Sequence, residues 1–105
     1  MGKNNSHVEL LKNDRELRLI YLQEALQLLF GKDECNTKTA LVMLRDIVNA
    51  SIGFQGLSQA TGKSDKNLMG MLTAGSNPNI DNICTIIREI TKYENADIEP
   101  NVRSA

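Results

Sequence analysis

Apolar residues return every three or four positions along most of this 105-residue chain, a helical pattern, with few alternating runs of β-branched residues. Leu17, Ile20, Tyr21, Ala25, Leu28 and Leu29, broadened by Leu22 and Leu26, predict a long helix over residues 14–30. Asn13 is its expected N-cap, with Asp14 and Glu16 in the first turn, where the helix dipole favours negative charge. Residues 1–12 read as a flexible polar segment with a short element at 7–12. The polar run GKDECN at 31–36 interrupts the pattern. Leu41, Leu44 and Val48, flanked by Met43 and Ile47, predict a second helix, capped by Thr37 or Thr39 and ended by Gly53, with Arg45 turned away.

The next stretch, residues 54–79, predicts two short helices joined by a glycine turn, the pattern of a helix-turn-helix. Leu57, Ala60 and Thr61 give the first helix its inner face. Gly62 falls where the chain must leave that helix, and a residue without Cβ enters the left-handed region at little cost. Ser64 is placed to cap the next helix through its hydroxyl. Leu68, Met71 and Leu72 point inward, which leaves Asp65, Lys66, Asn67, Met69 and Gly70 facing out. Gly75 is expected to close this helix, and Asn77-Pro78 prevents its continuation. Asn79 or Asp81 then caps a last helix, with Ile80, Ile83, Cys84, Ile87 and Ile90 on one side. The fold class is therefore all-α, five helices with an extra N-terminal element. It divides into a segment 1–12, a helix and loop 13–36, a core 37–93 and a polar tail 94–105.

Composition narrows the function. Length allows one domain, and aromatics are only 4% with no tryptophan, which argues against a base-stacking platform for single-stranded RNA. Net charge is −1, but residues 37–93 carry six cationic against four acidic side chains, a mildly basic segment. Cys35 and Cys84, with His7 as the sole histidine, cannot supply a four-ligand zinc site, so no metal and no cofactor are expected. Cys84 is expected to be a small buried hydrophobe and Cys35 a free thiol, which suits a cytoplasmic protein. No apolar run is long enough for a membrane span, and no arrangement of carboxylates, histidine or cysteine points to an enzyme.

The runs ELLKNDRELRLIYLQEAL, ALVMLRDIVNASIGFQGLSQATGKSDKNLMGML and GSNPNIDNICTIIREI resemble the HigA-like addiction-module antidote (antitoxin) proteins, within the phage-repressor-like (Xre-type) helix-turn-helix class. The resemblance rests on Tyr21 to Leu26, Ala40 to Val48, Leu57, Thr61-Gly62, Ser64 and Asn77-Pro78-Asn79-Ile80, and covers nearly the whole chain. It implies a repressor-like domain whose recognition helix, 65–73, enters the major groove of double-stranded DNA at a palindromic operator, and a RelE-like toxin as partner. Lys63, Ser58 and the outward residues of the recognition helix depart from the family pattern.

Within such a module Ser64 would hold a phosphate, Lys66 and Asn67 would reach base edges, Gln55 and Gln59 could touch the backbone, and Lys63 would clamp a phosphate. Asp65, Met69 and Gly70 complete the outward face. The plain alternative for each is a solvated side chain on a short exposed helix, which would leave a protein-interaction module without specific DNA binding. A homodimer is expected, because two half-sites need two recognition helices, with residues 86–98 as the expected contact.

Overall fold

In the computed structural model, residues 6–31 and 36–95 are described, and every regular element among them is an α-helix. These are α1 (Ser6–Lys12), α2 (Arg15–Phe30), α3 (Thr37–Ala50), α4 (Gly53–Thr61), α5 (Asp65–Met71) and α6 (Ile80–Glu94). None is long and apolar enough to cross a membrane.

Each long helix starts on a side chain that accepts a hydrogen bond from an otherwise unpaired backbone N–H. Asp14, rather than Asn13, caps α2 by accepting from the Leu17 N–H at 3.1 Å. Asn36, rather than Thr37 or Thr39, caps α3 by accepting from Thr39. Asn79 caps α6, accepting from Asn82 at 2.9 Å. In the first two cases the cap lies one residue or more from the expected position, because the carboxylate or amide with the right reach stood beside the residue favoured on sequence.

The core is aliphatic. Leu22 and Ala25 of α2 meet Leu41, Leu44, Ile47 and Val48 of α3, then Phe54 and Leu57 of α4, Leu68 and Leu72 around α5, and Ile83, Ile86 and Ile90 of α6. α2 packs chiefly along α3, and α1 also lies on α3. Residues 6–12 are therefore not a flexible segment: Leu11 is buried, worth about 2 kcal/mol for one leucine, and fixes α1 as a packed helix.

Several inward assignments shift. Ile20 and Ile80 are more than half exposed, and Ala60 and Cys84 are exposed rather than buried. Ile86, in contrast, is 1% exposed and belongs to the core, so it cannot form a dimer contact; Ile98 lies outside the described residues, as does Cys35. α3 ends at Ala50, where the Ser51 hydroxyl donates to the Ile47 carbonyl, and Gly53 opens α4 instead of closing α3. α5 ends at Met71, before Gly75, whose backbone is outside the left-handed region.

Candidate functional site

The α4–α5 pair carries every residue singled out for recognition. α4 ends on Gly62 at φ 80°, ψ 2°, the left-handed conformation, and the Gly62 N–H donates to the Ser58 carbonyl at 2.8 Å. The turn is tied down from both sides. The Ser58 hydroxyl donates to the Lys63 carbonyl at 2.7 Å, and the Lys63 N–H donates to Thr61 Oγ1 at 3.2 Å. Ser64 then caps α5 by accepting from the Asn67 N–H at 3.1 Å. Leu57 and Leu68, both buried, hold the two helices against the core on either side of this turn.

Gln55 and Gln59 on α4 are exposed, as are Ser64, Asp65, Lys66, Asn67, Met69 and Gly70 along α5; Lys63 is half-buried. Lys66, Asn67 and Gly70 stand together. With Met71, Ser76, Asn77 and Pro78 they line an open groove of about 280 Å³ between α5 and the loop that follows it. The Ser76 hydroxyl donates to the Met71 carbonyl at 2.7 Å, folding that loop back against the helix. Gly70 widens the groove, because a Cβ there would meet nothing within 4 Å. Asp65 is engaged locally, its carboxylate accepting from the Lys66 N–H at 2.8 Å. The face thus offers one ammonium, one amide and one thioether outward, a mixed donor, acceptor and apolar set on a rigidly capped helix.

A second charged cluster, which sequence reasoning missed, lies where α1, α2 and α6 meet. Glu94 is buried, and Arg18 grips its carboxylate in a fork, Nε to Oε2 at 2.6 Å and Nη2 to Oε1 at 3.0 Å. Arg18 Nη1 also donates to the Leu11 and Lys12 carbonyls at the end of α1, and Arg15 Nη2 donates to the Glu94 carbonyl at 2.7 Å. The hydrogen bond to Glu94 raises the Arg18 pKa above its ordinary value, against the lowering effect of burial. Burial, followed by the nearby charge of Asp46, raises that of Tyr21. The signal was present in the sequence: Arg18 precedes Leu22, Ala25 and Leu29 in one helical row, and Glu94 continues the row of Ile83, Ile87 and Ile90. Two opposite charges at inward positions of two helices call for each other. This cluster joins elements, and its exposed member, Arg15, is engaged with Glu94. Among the described residues, no three His, Cys, Asp or Glu side chains gather as a metal site would need.

Among protein-family models, curated proteins and solved structures, none matches this chain.

Proposed function

We propose that this chain is a sequence-specific DNA-binding regulator in which α4 and α5 form a helix-turn-helix and α5 is the recognition helix. The observation that carries the reading is the joint arrangement at the turn: left-handed Gly62, the Ser64 cap, and Lys66, Asn67 and Met69 exposed on one short helix whose other side is buried. Lys66 would donate to guanine O6 or N7, Asn67 would pair with the adenine edge, and Met69 would meet a thymine methyl. Lys63, half-buried, and Gln55 and Gln59, both exposed, would touch the sugar-phosphate backbone. On the resemblance to the HigA-like antidote proteins, the regulator would be the antitoxin of a bacterial toxin-antitoxin module. It would be cytoplasmic, would repress its own operon as a homodimer at a palindromic operator, and would neutralise a RelE-like toxin.

The test is binding to the DNA upstream of its own gene, followed by fluorescence polarisation. Lys66→Ala or Asn67→Ala should each cost about 1–3 kcal/mol on that DNA and little on random sequence. Lys63→Ala should weaken both DNAs alike. Equal losses from all three on both DNAs would overturn the assignment of roles.

A protein-interaction module is the second reading. It is favoured by the net charge of −1 and by Gly70, which leaves part of the outward face without a side chain. Absence of any DNA preference in the same assay would select it.

A further inference from the structure

Building on the reading of α5 as the recognition helix, we propose that Gly70 is a specificity-determining position. Its missing side chain leaves a seat for the C5-methyl group of a thymine beside the base edges that Lys66 and Asn67 reach. Gly70 stands in the last turn of α5 without a left-handed backbone, and a Cβ built on it would meet nothing within 4 Å. Neither conformation nor packing within the chain therefore asks for glycine. Gly62, by contrast, has its left-handed turn, and Gly56 has the Ile52 side chain 2.9 Å from where a Cβ would stand. Glycine in a helix costs stability relative to alanine, because it gives up more backbone freedom on folding. A residue that weakens its own helix and relieves nothing inside the chain points to something that comes close from outside. Lys66 and Gly70, four residues apart, share one face of α5, and Leu68 is buried on the opposite side. Gly70 is thus the outermost position of the second turn.

The groove beside Gly70 identifies the occupant. Met71 and Pro78, both half-buried, give it a thioether chain and a pyrrolidine ring, while Lys66 and Asn67, both exposed, complete the lining. The Ser76 hydroxyl, donating to the Met71 carbonyl at 2.7 Å, holds the loop that carries Pro78 against α5. The seat is therefore formed before anything enters it. Among the four bases, thymine alone presents an apolar group in the major groove, its C5-methyl, next to an acceptor oxygen. Guanine offers two acceptors there and cytosine an amino donor, so neither makes use of the apolar walls. The methyl enters beside Gly70, against Met71 and Pro78, and the ammonium and the amide stay free for the neighbouring base edges assigned to them above. A side chain at position 70 would stand where the methyl goes.

The test is a binding cycle read by fluorescence polarisation, with the parent and Gly70→Leu each titrated on two DNAs. One is the DNA upstream of the gene; the other is the same DNA made with deoxyuridine for thymidine, which removes only the methyl groups. The exchange should weaken the parent by about fourfold for each methyl seated. Gly70→Leu fills the seat, so it should bind the thymine DNA about tenfold or more weaker than the parent, and lose far less on random sequence. It should also be nearly indifferent to the exchange. Any effect of the exchange on DNA shape, or on a contact from Met69, falls on both proteins alike and cancels in the cycle. In thermal melts Gly70→Ala should gain roughly 2–8 °C, and Gly70→Leu should melt no lower than the parent, because the space around the position is open. A lower melting temperature for either variant would mean that the glycine serves the fold, and would overturn the proposal. Equal sensitivity to uracil in the parent and in Gly70→Leu, on DNA that the parent still prefers to random sequence, would overturn it too and leave the recognition-helix reading standing. A parent with no such preference would overturn both, and would give the groove to the protein partner of the second reading.

Discussion

Arg18 stands in the row of α2 that otherwise holds Leu22, Ala25 and Leu29, and the fold admits it there only because Glu94 arrives from the far end of the chain. The Glu94 side chain is 2% exposed and that of Arg18 12%, so both charges are largely out of water. Taking one away leaves the other buried and uncompensated, which is the expensive way to alter such a pair. Glu94→Ala should therefore cost about 3 kcal/mol, lowering the melting temperature by roughly 15 °C in a domain of this size. Arg15→Ala should cost less, about 1 kcal/mol, because Arg15 is half exposed and its ion pair with the Glu94 carboxylate, at 3.5 Å, is longer than the Arg18 fork. Thermal melts of the two variants decide it, and equal losses would mean that the fork from Arg18 does not hold the corner together. At this scale the turn residues were the easily read ones. Gly62 and Ser64 each have a conformational or hydrogen-bonding role that few other residue types fill. Cys84 and Ile80 were not, because an apolar side chain on an amphipathic helix looks the same in sequence whether it faces its own core or another surface.

The elements followed from periodicity and caps, and their errors have physical sources. α2 is apolar over so much of its circumference that its pattern does not single out a face; Leu22 and Ala25 became the buried row only once α3 was in place. α3, with six buried positions on one side, was unambiguous along its length but not at its end, where the Ser51 hydroxyl returns to the Ile47 carbonyl and stops the helix early. The α4–α5 connection is the sharpest prediction on this scale. At Gly62 the obstacle to a side chain is conformational, since φ is 80° and a Cβ would meet nothing within 4 Å. Gly62→Val should then cost about 2 kcal/mol or more from backbone strain alone, as a β-branched residue is strongly disfavoured there. Gly75 has open space around it and no left-handed backbone, so Gly75→Ala should be neutral or stabilising by a few tenths of a kcal/mol. A Gly62→Val protein melting within a degree or two of the parent would contradict the turn as drawn.

On the scale of the whole molecule, charge limits how the proposed reading could work. The net charge is −1, and the cations beside the α4–α5 turn are Lys63 and Lys66, with Asp65 between them. Counterion release makes the logarithm of a DNA-binding constant fall with the logarithm of salt at a slope near −0.9 per phosphate neutralised. With Lys66 on base edges, Lys63 in each of two copies neutralises about two phosphates, so the expected slope is roughly −1.8. Affinity that modest in its electrostatic part must come from joining two reading faces, and half-saturation on DNA should therefore track the protein's own dimerisation. Titrations of the palindromic site at several salt concentrations, on the parent and on Lys63→Ala, test both statements. The parent should give a slope near −1.8, and Lys63→Ala should flatten it nearly to zero, because each copy then neutralises one phosphate fewer. A parent slope twice as steep would mean that cations away from this turn carry the binding, and the reading face would have to be sought there.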